Sequence, residues 1–321
     1  MFRQDKAFVY FSLKSLHSFE QKHRDLIEKA SKETKDQLRV VISCPLLAAY
    51  RNCIDSIWHP LQELLSLVYV AQVKPAYDVE NPLLDAQVVF LELCGYDIDF
   101  KESIYQRVYV LKSDHRFVSK LNEQSTNSPI PVEILEDNED AALERDSTVP
   151  TEGSSSDAVR FENVALGGTF DHIHSGHKIL LTMSALLTSK RLFCGVSDDK
   201  LLTKKKHREL IAPTRERIKN VQHYLNIVRR GIEYQVDSIS DPYGPTITDP
   251  TFDVIVVSTE TLSGGEAVNV ERAKKDYQPL FIRVIDVISP SKASVQGKDI
   301  SALKISSTWI RDYIASKQKQ D

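Results

Sequence analysis

The sequence predicts a two-domain α/β protein, with a parallel-sheet C-terminal domain, a smaller α/β domain before it, and an acidic disordered linker between them. Three observations carry this. Residues 121–160 hold ten acidic residues against two basic ones, Arg145 and Arg160, and include the tract Thr151-Glu152-Gly153-Ser154-Ser155-Ser156-Asp157. A stretch so polar, at −8, cannot bury enough apolar surface to order itself. Nine of the eleven glycines lie after residue 160, where tight turns beside a ligand need them. Beyond 160, short apolar segments alternate with segments of helical period, as in a parallel sheet covered by helices. The expected boundaries are therefore 1–120, 121–160 and 161–321.

Composition narrows the function classes. With 321 residues and 41% apolar content, each domain has enough chain for a core. Wholly disordered, collagen and coiled-coil classes are excluded. No run approaches the ~20 apolar residues of a membrane helix, and the polar start Met1–Lys6 has no signal core. Cys44, Cys53, Cys94 and Cys194 are scattered without a CxxC pair and read as reduced thiols of a cytoplasmic protein. A nuclear share is left open. The net charge of −4 argues against a dedicated nucleic-acid binder, and the chain outside the linker carries +4, which suits a small anionic substrate.

In residues 1–120, apolar runs occur at Arg39–Cys44, Leu67–Val73, Val88–Leu93 and Tyr105–Leu111. Between the first two, Leu46, Leu47, Tyr50, Cys53, Ile54, Ile57, Leu61, Leu64 and Leu65 recur at helical spacing. His59, His115 and Asp97 are isolated and read as structural or surface residues. No catalytic motif is present, and no function follows for this part.

The C-terminal half is more legible. Val164-Ala165-Leu166 reads as a buried strand ending in Gly167-Gly168. A helix follows over about Gly176–Thr188, then a strand at Arg191–Val196. Pro213-Thr214 opens another helix, with Thr214 as its cap and Ile218, Val221, Leu225 and Val228 on its inner face. Gly231 stops it. Strands are expected at Ile232–Val236, Asp253–Val257 and Leu280–Val287, and a last helix at Ser307–Ser316. Ligands of such sheets bind at the carboxyl ends of the strands.

The chemistry concentrates in Gly167-Gly168-Thr169-Phe170-Asp171-His172-Ile173-His174-Ser175-Gly176-His177, directly after that first strand. The glycines let backbone approach a phosphate, and the next helix points its N-terminal amides at it. His174 and His177, three apart at the helix start, can converge on the same oxygens as donors. Such an arrangement stabilises charge developing at an attacked phosphoryl group without a nucleophile or general base. A zinc site on His172, His174 and His177 lacks an obvious fourth ligand nearby, and no metal site is assigned.

With Ile305-Ser306-Ser307-Thr308-Trp309-Ile310-Arg311 near the chain's end, the HxGH segment forms a pair of signatures, HxGH and ISSTxxR, that resembles the nucleotidyltransferase superfamily. Residues 161–316 resemble eukaryotic-type phosphopantetheine adenylyltransferases, monofunctional and fungal-like, with an N-terminal extension that the resemblance does not reach. Ser197-Asp198-Asp199-Lys200, Lys204-Lys205-Lys206, Asp241–Pro245 and Val257–Thr261, leading to Gly264-Gly265 and Asn269, resemble that family too. The resemblance implies a Rossmann-like domain that joins ATP to 4′-phosphopantetheine, giving dephospho-coenzyme A and pyrophosphate. It implies ATP contacts from Gly167, Gly168, Phe170, His174, Gly176, His177, Ser258, Glu260, Ser306, Ser307, Thr308 and Arg311. His174 and His177 would hold the transition state, Thr169 and Asp171 would meet the acceptor, and one of Lys204, Lys205 and Lys206 would neutralise both anions. Mg²⁺ would accompany ATP.

Two departures set this chain apart from the bacterial form. His172 stands where that form has proline after Gly-Thr-Phe-Asp, and Ser258–Gly265 replaces its Gly-Leu-Arg element. No GxxxxGK[ST] loop occurs, so a separate dephospho-coenzyme A kinase would finish the pathway, in a complex with this or other pathway enzymes. Two alternatives stay open: a nicotinamide mononucleotide adenylyltransferase, and a nucleotide-binding scaffold of the coenzyme A pathway. Cytidylyltransferases share HxGH but carry an RTxGIST-like element missing here, and an aminoacyl-tRNA synthetase lacks support from a tRNA-binding domain. No nucleic-acid or membrane partner is expected.

Overall fold

The computed structural model describes residues 3–101, 103–125, 128–137, 160–286 and 306–318. The chain separates into two compact units, Met1–Arg51 with Ser56–Ala158, and Asn52–Asp55 with Val159–Asp321.

The first unit is a five-stranded parallel sheet in the order β3-β2-β1-β4-β5. Its strands are β1 (Gln4–Ser12), β2 (Thr34–Ser43), β3 (Asp85–Phe90), β4 (Arg107–Leu111) and β5 (Val132–Leu135), with helices α1 (Gln21–Glu33), α2 (Trp58–Asp78) and α3 (His115–Glu123). Central strands of a parallel sheet are covered on both faces and so read as continuous apolar runs; Ala7, Phe8, Val9, Tyr10 and Phe11 of β1 are all buried.

Several expectations need correction here. The run Leu67–Val73 is the middle of α2, not a separate segment. The helical spacing seen from Leu46 is broken at first into the short turns Pro45–Tyr50 and Ile54–Ile57, and a continuous helix begins only at Trp58. The linker begins later than residue 121. Leu121–Glu123 close α3, and Val132–Leu135 find a parallel partner in β4, from Val108↔Val132 to Leu111↔Leu135. Backbone pairing thus orders a short acidic-flanked segment that its composition alone would leave unstructured. Residues 138–159 lie outside the described residues.

The second unit repeats the layout. Its parallel sheet runs β10-β9-β6-β7-β8, formed by β6 (Phe161–Gly168), β7 (Thr188–Ser197), β8 (Glu233–Ile239), β9 (Val254–Ser258) and β10 (Phe281–Ile285). Helices α4 (Ser175–Leu187), α5 (Thr214–Val228), α6 (Leu262–Ala273) and α7 (Ser307–Lys317) accompany it. In both units the first strand is central, the next two extend to one side, and the last two return to the other. The order therefore reverses beside β1 in the first unit and between β6 and β9 in the second, and such switch points are where α/β sheets bind ligands.

The expected strands and helices of this half are present, with three differences. Thr214 is not the cap of α5. Pro213 holds that position, and the Thr214 hydroxyl bonds to Asp199 Oδ1 instead, at 2.8 Å. The Ser258–Gly265 stretch, for which no element was expected, runs into α6 from Leu262, and Gly265 lies close on the sheet: a Cβ there would lie 3.3 Å from Val257 Cγ1. The tenth strand ends at Ile285, and Val287 lies outside the described residues. All four cysteines are buried free thiols. Among the described residues no helix is long and apolar enough to cross a membrane.

Candidate active site

β6 delivers the glycine–histidine loop to the carboxyl edge at the switch point. The loop turns sharply: Phe170 and His172 both take left-handed backbone, with φ of 49° and 46°. Phe170 folds its ring back over Gly168, where a Cβ would sit 3.1 Å from the ring, a tight contact that a larger residue could meet only by displacing the ring. The Phe170 ring also backs His177, with centroids 5.3 Å apart.

His174 is the N-cap of α4 and makes no side-chain capping bond. Its ring lies 3.9 Å from that of His177, at 32° between planes. Both rings are partly exposed, yet the Nδ1 atom of each is buried without a hydrogen-bond partner. Burial pushes the His174 pKa well below the ordinary histidine value, with His177, Lys178 and His172 adding to the shift. Burial likewise lowers His177 to about 4, against a small opposing effect from the His172 backbone. At neutral pH both rings are therefore uncharged, each with one N–H to donate, at the positive end of a helix. Such an arrangement can receive an anion through neutral donors.

The second motif is bolted to the first. Ser306 caps α7, accepting from the Trp309 N–H at 3.2 Å, and the Ser307 hydroxyl donates to the Asp171 carbonyl at 2.9 Å. Arg311 is buried and donates to Asp171 Oδ2 at 2.6 Å, to the Lys206 carbonyl at 2.8 Å and to Thr308 Oγ1 at 3.1 Å. The sequence reading gives Arg311 to the triphosphate and Asp171 to the acceptor. The structure instead pairs them with each other in the interior, where Asp171 has no exposed surface. Ile305 lies outside the described residues.

The basic run divides. Lys206 Nζ pairs with Asp312 Oδ1 at 2.7 Å, and His207 Nε2 meets the same oxygen at 2.9 Å, so Lys206 is tethered to α7. Lys204 and Lys205 are exposed. His172 Nε2 faces the Leu210 carbonyl at 3.3 Å, further fixing this loop. On the other side of the switch point, Ser258 ends β9 in a capping turn with Thr261, and Glu260 is exposed. Gly167 and Gly168 end β6, Thr169 opens the loop, and Gly176 lies in the first turn of α4. Among the described residues no group of three or more His, Cys, Asp or Glu side chains is arranged to hold a metal ion.

Two further buried arginines, Arg217 and Arg272, lie outside the sequence motifs. Arg217, in the first turn of α5, donates to five oxygens around the carboxyl edge. Arg272, at the end of α6, donates to the carbonyls of Gln278, Thr246, Asp249 and Pro250. A signal for Arg217 was present, since 217, 221, 225 and 228 form one helical stripe and the last three are apolar.

A parallel sheet with a phosphate-type loop at its switch point, paired neutral histidines and a serine-capped helix opposite them defines a nucleotidyltransferase. Comparison with known proteins agrees. Residues 165–312 match the cytidylyltransferase-like family. A phosphopantetheine adenylyltransferase of Saccharomyces cerevisiae is 33% identical over 263 residues, covering 79% of this chain and 84% of that protein. An uncharacterised protein of Schizosaccharomyces pombe is 30% identical over 317 residues, 97% of each chain. A phosphopantetheine adenylyltransferase of Pyrobaculum aerophilum is 34% identical over 152 residues, 47% of this chain and 91% of the archaeal one. The chain belongs to the phosphopantetheine adenylyltransferase family, in its eukaryotic, fungal-like form. The two yeast matches are too long to fit within residues 161–316, so the similarity extends beyond the expected span into the first unit.

Proposed function

We propose that this protein transfers the adenylyl group of Mg–ATP to 4′-phosphopantetheine, releasing pyrophosphate and forming dephospho-coenzyme A. The observation that carries the reading is the His174–His177 pair, two neutral donors 3.9 Å apart at an open helix start, in a chain similar over most of its length to a yeast protein of that name. The acceptor phosphate is already an anion, so attack on the α-phosphorus needs no base, only alignment and charge stabilisation. In this reading His174 and His177 donate to the α-phosphate oxygens as charge builds there. The α4 amides and the loop backbone at Gly167, Gly168, Phe170 and Gly176 cradle the phosphates. Thr169 orients the incoming phosphate, Lys204 and Lys205 screen the two anions, and Lys206 anchors their loop. Ser306, Ser307 and Thr308 line the start of α7 towards the triphosphate, and Ser258 and Glu260 lie on the nucleotide side of the switch point. Mg²⁺ enters as part of the substrate. A kinase acting on dephospho-coenzyme A is the downstream partner that this reading implies, and the cytoplasm is its compartment.

The test is product identification. Purified protein with Mg–ATP and 4′-phosphopantetheine is expected to yield a species of the mass of dephospho-coenzyme A, whereas unchanged pantetheine phosphate beside consumed ATP would refute the acceptor.

A further inference from the structure

Arg217 is almost fully buried, at 1% exposure, yet it stands at the carboxyl edge of the sheet rather than in the core of a helix pair. Its guanidinium has five N–H donors, and five oxygens receive them. Nε reaches the Ala212 carbonyl at 2.8 Å. Nη1 reaches the carbonyls of Thr169 and Ser197, each at 2.8 Å. Nη2 reaches Asp199 Oδ1 at 2.7 Å and Thr214 Oγ1 at 2.9 Å. No donor is left over for a ligand.

The partners have a pattern. Thr169 is the first residue beyond β6, and Ser197 is the last of the neighbouring β7. Asp199 opens the segment that carries Lys204, Lys205 and Lys206, and Ala212 closes it just before α5. One planar cation thus sets the spacing of two strand ends and pins both ends of the lysine loop. Thr169 is further constrained, because it lies between Gly168 and the left-handed Phe170; holding its carbonyl fixes the course of the whole turn. Lysine cannot copy this, since it offers a single charged nitrogen where five donors fan out in a plane.

We infer that Arg217 is a positioning residue for the acceptor side of the site: it holds Thr169 and the lysine loop in the geometry the incoming phosphate needs, without touching substrate. This rests on the proposed reaction for the identity of the acceptor, and on the geometry alone for the positioning.

Two measurements on the full chain separate those layers. Hydrogen exchange on Arg217→Lys and Asp199→Asn is expected to show faster exchange in 169–172 and 197–212 than in the wild type, with β9 unchanged. Unaltered exchange in those segments would overturn the positioning role, whichever acceptor the enzyme uses. In steady-state kinetics with 4′-phosphopantetheine, Arg217→Lys is expected to lower kcat by about 10–100-fold, the scale of an ångström-sized misplacement. The acceptor KM rises about tenfold or more, while the dissociation constant of a non-hydrolysable ATP analogue stays within about threefold. A folded Arg217→Lys enzyme with wild-type acceptor kinetics, or one that loses ATP affinity as much as acceptor affinity, would overturn the acceptor-side assignment. Wild-type protein inactive with this acceptor but exchanging as expected would instead refute the proposed reaction and leave Arg217 holding the loop. Arg217→Ala supplied with free guanidinium ion is expected to regain part of the lost acceptor kinetics, which a general loss of folding would not allow.

Discussion

Arg311 donates to Asp171 at 2.6 Å across 140 residues of sequence, and neither side chain is more than 2% exposed. The two motifs of the site therefore share one buried ion pair, with the Ser307–Asp171 backbone bond beside it. A pair out of water is held by each partner's need for the other: removing one leaves an uncompensated charge in the interior.

Arg311→Met is accordingly expected to destabilise the protein by about 3–5 kcal/mol, the usual loss for a broken buried pair. Asp171→Asn with Arg311→Met in one chain is expected to lose less than the two single losses combined. Chemical denaturation of the four proteins measures this. Simple additivity would mean that the two residues do not depend on each other.

Loss of one donor at the reacting phosphate costs about 10²–10³ in kcat when the donor acts mainly in the transition state. His177→Ala is expected to fall in that range, with the ATP dissociation constant little changed. Steady-state kinetics with direct nucleotide titration checks it, and near-normal turnover would remove His177 from the mechanism.

Acid should also be felt through this residue. His177 has its pKa depressed from the ordinary 6.5 to about 4 by burial, so the unfolded chain binds a proton more readily than the folded one. Stability attached to this residue is full above about pH 6.5 and is lost as pH falls towards 4. Thermal melts of ligand-free wild type and His177→Gln should therefore shift in the variant's favour by several degrees between pH 7 and pH 4.5. A melting difference independent of pH would contradict an imidazole kept neutral by the fold.

The first unit has the same strand order, but its loop after β1 lacks the cradle. Phe19 packs there against Phe11 and His23, and Glu20 caps α1. A carboxylate at that helix start opposes a second anion. Calorimetry with a non-hydrolysable ATP analogue is expected to give one site per chain. A stoichiometry near two would contradict this.

What could be read in advance was what is local. The glycine–histidine loop, the last helix opening at Ser307 and the strand–helix alternation of the second half are each written within a few neighbouring residues, and the structure has them. Arg311 illustrates the opposite case. Its type and motif suggest a phosphate contact, and only the return of α7 to the end of β6 shows Asp171 waiting for it. Arg217 was hidden for a similar reason: a charged residue on a helix is ordinarily solvated, and its carbonyl partners come from three separate segments. In the first unit, α1 was missed because its thirteen residues are mostly charged and only Leu26, Ile27 and Ala30 give it an apolar face. The strand β5 owes its existence to pairing with β4, information that its own acidic surroundings do not contain.

In the proposed reaction the paired histidines serve adenylyl transfer to 4′-phosphopantetheine. Pyrophosphate release from Mg–ATP, with 4′-phosphopantetheine and nicotinamide mononucleotide offered separately, tests it most directly. Release with the pantetheine phosphate alone, lost in His177→Ala, is the predicted result. Release with the mononucleotide alone, or with neither in a protein that still binds ATP, would contradict it.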